Sequence, residues 1–148
     1  KAIEDTIIIS TNEWKYVATM NTHFDTNLPL VFCAIDEINQ VFINMIINAT
    51  HTIKDKMDTG EFRIGEINIS TQVENSEVRI TITDNGMGIP QEFTDKIFDP
   101  FFTTKEVGRG TGQGLAIAHD IISKHNGRIT FETEKGVGTS FHIFLPIV

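Results

Sequence analysis

The sequence predicts a single α/β domain in which extended segments alternate with helices, and three observations carry that expectation. Two stretches repeat apolar residues at helical intervals: residues 36–58, with Ile38, Val41, Phe42, Met45, Ile46, Ala49 and Ile53 on one face, and residues 113–124, with Leu115, Ile117, Ala118, Ile121 and Ile122. Four more, 64–73, 77–83, 128–134 and 139–146, alternate apolar and polar side chains with the period of two that suits a half-buried strand. A chain of 148 residues, 40% hydrophobic and with four prolines, is long enough to bury a core and too apolar to stay disordered.

The same composition narrows the function. A formal net charge of -8 disfavours nonspecific attraction to nucleic acid or an anionic membrane, so no nucleic-acid partner is expected. No apolar run approaches the roughly 18 residues of a membrane span, and no signal-peptide pattern opens the chain. The first residue is Lys1 and not Met, which suggests a piece of a longer protein whose membrane anchor, if any, lies elsewhere. The single cysteine, Cys33, excludes an internal disulfide and a cysteine cage for a metal, and is read as a sign of a reducing, cytoplasmic compartment.

In chain order, residues 1–11 suit either a short helix through Ile3, Ile7 and Ile8 or a strand begun by Ile7-Ile8-Ile9. Residues 16–24 and the compact apolar run 30–35, after Pro29, read as strands. Asp36 is a candidate N-cap for a helix to about Asp58, ended by Thr59-Gly60. That helix carries its polar groups where a surface would not put them. Ile43 and Ile47 form a second apolar strip, and between the two strips Asn44, Asn48 and His51 line up at i, i+4 and i+7. Amides in that position are costly unless something satisfies them: water, a neighbouring loop, a polar ligand, or a metal ion that takes amide oxygens.

Residues 64–73 and 77–83 face each other across Asn75-Ser76 as an antiparallel hairpin, with Ile67, Ile69, Thr71 and Val73 on one face and Val78, Ile80 and Ile82 on the other strand's matching face. Counting by two, Asp84 falls on the core side, where a carboxylate must find donors or raise its pKa. Asn85-Gly86-Met87-Gly88 follows as a glycine turn, so Asp84 either ends its strand in an Asx turn or accepts a hydrogen bond from a ligand amino group. Residues 91–97 suit a short helix, and Phe98, Phe101 and Phe102 suit core packing. Pro90 to Gly112 shows little regular pattern, as a lid would. Gly108 to Leu115, half of it glycine, runs into the second helix; unpaired N–H groups and the positive end of a helix dipole suit a phosphate there, and Lys105 lies three residues upstream. His125-Asn126-Gly127 stops that helix, and Lys135 to Gly138 joins the last two strands.

Taken in order, Asn44–Ala49, Asp84–Gly88, Phe98–Phe102, Gly110–Leu115 and Gly136–Thr139 resemble the N, G1, F, G2 and G3 boxes of the catalytic ATP-binding domain of sensor histidine kinases. This is the GHKL or Bergerat-fold superfamily, shared with gyrase-type topoisomerases, MutL-like repair proteins and a heat-shock chaperone. The resemblance covers essentially the whole chain and implies a two-layer α/β sandwich: a mixed, largely antiparallel sheet of about five strands backed by three helices, with ATP between the helices and a mobile lid. It further implies that Asn48, with Asn44, coordinates Mg²⁺ and that Asp84 binds the adenine amino group. Gly86 and Gly88 would make room for the base, beside Ile89, and Thr139 would help to hold it through water. Lys105 and the backbone around Gly110, Thr111, Gly112, Gln113, Gly114 and Leu115 would hold the phosphates. Gln113 stands where the family usually has leucine, and His51 and Thr52 stand where many members have lysine and tyrosine, which bears on the phosphate contacts.

The hydrolytic cousins usually carry a glutamate at the position of Asn44 as base for water, a role an asparagine cannot take. Transfer of the γ-phosphoryl group to a histidine is therefore expected. None of His23, His51, His119, His125 and His142 sits in the helical His-Glu or His-Asp context of the acceptor, which places the acceptor on upstream dimerisation/phosphoacceptor helices. A response-regulator receiver domain is the expected onward partner, the full-length protein a homodimer and the fragment alone a monomer. A serine kinase of the anti-sigma-factor type and a degenerate nucleotide-binding module are the alternatives.

Overall fold

The protein is described here by a computed structural model, covering residues 2–29, 31, 33–60, 64–99 and 114–147. The chain runs α1 (Ala2–Ile9), α2 (Thr11–Trp14), β1 (Ala18–His23), α3 (Ile35–Asp58), β2 (Gly65–Glu74), β3 (Glu77–Asp84), a 3₁₀ turn (Gln91–Phe93), α4 (Gly114–Lys124), β4 (Arg128–Glu134) and β5 (Gly138–Pro146). Five strands form one sheet in the order β1-β2-β3-β5-β4. β1 pairs with β2 in parallel, a connection that needs a crossover, and α3 supplies it; every other pairing is antiparallel. The expected mixed, largely antiparallel sheet backed by helices is the fold observed.

The core lies between one face of this sheet and α3 and α4. Ile38, Val41, Phe42, Met45, Ile46, Ala49 and Ile53 of α3 are all buried there, against Ile67 and Ile69 of β2, Val78, Ile80 and Ile82 of β3, and Phe141 and Ile143 of β5. From α4, Ala118, Ile121 and Ile122 join them, whereas Ile117 is 41% exposed. The β2–β3 hairpin turns at Asn75 and Ser76, with φ of 51° and 66°, the doubly left-handed turn that matches the twist of paired strands. Val73 departs from its expected place on the core face, being 45% exposed near the hairpin tip, two residues before the turn. Among the described residues no helix is long and apolar enough to cross a membrane.

The amino-terminal ambiguity resolves in favour of helix. Ile3, Thr6, Ile7 and Ser10 recur at i, i+3, i+4 and i+7 and turn inward, with the Thr6 and Ser10 hydroxyls bonded to carbonyls one turn back; Ile8 and Ile9 face outward. The strand expected over 30–35 is not one. Its described residues Val31, Cys33 and Ala34 belong to no strand, and Ile35 already opens α3. Val31 and Cys33 pack against the core from irregular backbone, so their apolar character reflects burial rather than sheet pairing. Asp36 is not the N-cap either: that position is Ala34, without a side-chain cap, and Asp36 and Glu37 stand in the first turn, where carboxylates suit the helix dipole. The helix expected over 91–97 shrinks to the turn Gln91–Phe93, after which Ile97 is buried and Phe98 packs edge-on against Phe131 and Phe141.

Candidate functional site

The polar line on α3 and the end of β3 meet under one side of the helix. Asn44, Asn48 and His51 are all half-buried along it. The Asn44 amide spans to the start of α4, donating from Nδ2 to the Gly114 carbonyl at 3.1 Å, while its Oδ1 accepts from Gln40 Nε2 at 2.7 Å. The helix that follows the glycine-rich stretch thus begins beside the first asparagine. Asn48 has no side-chain hydrogen-bond partner among the described residues, which leaves its amide oxygen available to a ligand.

One turn further along α3, the helix reaches Asp84. This residue is 4% exposed, on the core side of β3 as the period of two requires. Its Oδ1 accepts the Gly86 N–H at 2.9 Å and the Thr52 hydroxyl at 3.1 Å, and the carboxylate also accepts the Thr139 main-chain N–H across the β3–β5 pairing. Asp84 closes an Asx turn and is a buried acceptor at a strand end. Burial pushes its carboxyl up from an ordinary 3.8 to about 6, against the opposing pull of these donors and of the Lys56 charge.

The turn after β3 is held from two sides. Met87 donates its N–H to the Thr52 carbonyl of α3 at 3.3 Å and accepts the Gly136 N–H of the β4–β5 turn at 2.6 Å. A side chain at Gly86 would stand 2.6 Å from the Thr52 carbonyl carbon and 2.8 Å from the Ile53 nitrogen. Gly88, at φ +73°, presses on the Glu134 main chain. The two glycines therefore serve close approach of the turn to its protein neighbours. Ile89 donates its N–H to Thr133 Oγ1 at 2.8 Å, and Thr133 is bonded in turn to the buried Thr139 hydroxyl at 2.9 Å.

Three residues of this constellation escaped sequence reasoning as site members: Thr52, Thr133 and Lys56. Lys56 is 8% exposed, and its ammonium donates to the Gly136 carbonyl at 2.7 Å and reaches the Asn85 carbonyl at 3.4 Å. The signal was present, since Asn48, Thr52 and Lys56 recur at i, i+4 and i+8 on one helix line. Lys105, Gly110, Thr111, Gly112 and Gln113, with most of the expected lid, lie outside the described residues. Leu115 is half-buried in the first turn of α4 and packs on the core. Among the described residues no group of three His, Cys, Asp or Glu could hold a metal. The donors on offer are amide oxygens, hard ligands that suit Mg²⁺, an ion that keeps several waters and is commonly completed by substrate phosphates.

The class of protein follows from this two-layer sandwich together with the family match: an ATP-binding domain of the ATPase type. The chain belongs to the family of histidine kinase-, DNA gyrase B- and HSP90-like ATPases, whose profile matches residues 33–148, and within it is a catalytic domain of the sensor-histidine-kinase type. It is 36% identical over 122 residues to sporulation kinase E of Bacillus subtilis strain 168, covering 82% of this chain and 15% of that protein. To the sensor protein kinase WalK of Staphylococcus epidermidis it is 40% identical over 139 residues, covering 88% of this chain and 22% of that protein. Among solved structures, the nucleotide-free catalytic domain of the histidine kinase ThkA superposes with a TM-score of 0.80 at 30% identity, covering 98% of this chain and 90% of that one. The chain thus spans less than a quarter of the length of these two kinases and nearly all of a catalytic domain.

Proposed function

We propose that this domain binds Mg²⁺-ATP and presents the γ-phosphoryl group to a histidine on dimerisation/phosphoacceptor helices elsewhere in a longer, homodimeric kinase, for relay to a response regulator. Asp84 accepts the adenine amino group, and Thr139 supports the base from the neighbouring strand. The start of α4 and the glycine-rich stretch before it, with Lys105 and His51, face the phosphates. Asn48 is the principal protein ligand of Mg²⁺, with Asn44 beside it. When bound, the ion neutralises charge on the phosphates. The observation that carries this reading is the joint placement of the buried Asp84 acceptor and the open Asn48 amide along one helix.

The position of Asn44 bears on the reaction. Its amide holds Gly114 and Gln40 and has no proton-accepting carboxylate to offer a water, so the domain positions a phosphoryl donor without activating water. The acceptor histidine then arrives from outside, with the kinase catalytic domain on the cytoplasmic side. The test has two arms. Calorimetry with a nonhydrolysable ATP analogue, with and without Mg²⁺, should show metal-dependent binding. Adding in trans a two-helix domain carrying the acceptor histidine should yield an acid-labile, base-stable phosphohistidine, slowly, because the effective concentration of a covalent connection is lost. An acid-stable phosphoserine on a partner would overturn histidine transfer, and absence of nucleotide binding would overturn the whole reading.

A further inference from the structure

Lys56 closes the last turn of α3 in surroundings unusual for its residue type. It is the one buried lysine or arginine among the described residues, as Asp84 is the one buried carboxylate. Burying an ammonium is costly unless its protons are bonded, and here the bonds go to two separate turns. Nζ donates to the Gly136 carbonyl of the β4–β5 turn at 2.7 Å and reaches the Asn85 carbonyl, next to Asp84, at 3.4 Å. The same turns are joined through Gly136 N–H to the Met87 carbonyl, and the first of them hangs from α3 through Met87 N–H to the Thr52 carbonyl. One cation therefore sits where three elements converge, and their relative placement decides where the Asp84 carboxylate is aimed.

Charge acts in the same sense as the tether. The titratable groups on the elements around Asp84 include His51, Asp55 and Lys56 of α3, Glu66 of β2, Glu132 and Glu134 of β4, Lys135 of the β4–β5 turn and His142 of β5. Of these, the Lys56 charge acts on the carboxylate, favouring its ionised form against the cost of burial. We infer that Lys56 is a positioning residue for base recognition: its ammonium ties the turn after β3 to the β4–β5 turn and holds Asp84 in the charged state that accepts a hydrogen bond from the nucleobase amino group. This rests on the nucleotide reading proposed above.

The test compares the wild-type chain with Lys56→Gln, which keeps a donor and loses the charge, and Lys56→Arg, which keeps the charge. Affinity for a nonhydrolysable ATP analogue is measured by calorimetry from pH 5 to 8.5; titration of the ligand itself is common to all three proteins and cancels in the comparison. Wild-type affinity should rise as the pH passes about 6, where Asp84 ionises. In Lys56→Gln the midpoint should move up by about half to one pH unit, weakening binding by roughly three- to tenfold near pH 5 and converging with wild type above pH 8. Lys56→Arg should restore the wild-type midpoint. A Lys56→Gln profile superimposed on wild type would overturn the inference. So would equal loss of binding at every pH, which would mark Lys56 as a structural tie alone. Failure of the wild-type chain to bind nucleotide would instead overturn the nucleotide reading.

Discussion

Asp84→Asn should move two measurements in opposite directions. The carboxyl is 4% exposed and burial raises it from an ordinary 3.8 to about 6, so at pH 7 the folded protein holds an anion that the unfolded chain would ionise more readily. The folded state binds the proton more tightly, and the cost of ionising is therefore absent below about pH 4, grows as the pH rises through 6, and levels at ~3 kcal/mol. Asparagine is isosteric and neutral. Its Oδ1 still accepts from the Gly86 N–H and the Thr52 hydroxyl, while its NH₂ replaces the second oxygen. Free of the ionisation cost, the ligand-free variant should be more stable at pH 7 by up to ~3 kcal/mol, less whatever the weaker neutral hydrogen bonds give back. Nucleotide binding should weaken by about 1.5–3 kcal/mol, because a donor now faces the donor amino group of adenine. Thermal unfolding from pH 4 to 8 and calorimetry with an ATP analogue read the two effects separately. Unchanged affinity would refute the role in base recognition, and parallel stability curves for both proteins would refute the buried charge.

Asn48→Ala should remove most of the Mg²⁺ dependence of nucleotide binding while adenosine binding stays near wild type; a full Mg²⁺ effect in the variant would place the metal elsewhere. Gly86→Ala should destabilise the fold by ~1–3 kcal/mol, because its Cβ would press on Thr52 and Ile53 of α3, and a denaturant midpoint equal to wild type would contradict the packing described. The chain alone should turn over ATP barely above the uncatalysed background, since Asn44 offers water no base, and brisk phosphate release would instead favour a hydrolytic mechanism.

The parts of the fold legible in the sequence are those set by repeating patterns. The α3 face from Ile38 to Ile53, the β2–β3 hairpin and the two final strands follow from periods of 3.6 and two, and counting by two placed Asp84 on the core side before any geometry was known. Patterns fail where burial comes without regular backbone. Val31 and Cys33 are apolar because they cover the core from a loop, and a short apolar run carries no mark that separates that from a strand. Lys56 was hidden by the opposite default, that lysines face water; its two carbonyl partners come from residues 29 and 80 positions away in the chain, a distance no local pattern spans. The glycines at 86 and 88 were legible as a turn, yet what fills the space beside each one depends on α3 and β4.

Asp84 and Thr139 stand opposite each other in the β3–β5 pairing, and that pairing is the seam between two hairpins that are each local in sequence, β2–β3 and β4–β5. Each hairpin closes over a short loop, whereas the seam brings together residues more than fifty positions apart. In the proposed base site, neither hairpin is complete by itself. On that proposal, nucleotide occupancy would be a readout of hairpin docking, and ligand that binds only the docked state would add its free energy at that one seam. A perturbation that parts the hairpins empties the site while leaving both ribbons of the sheet intact.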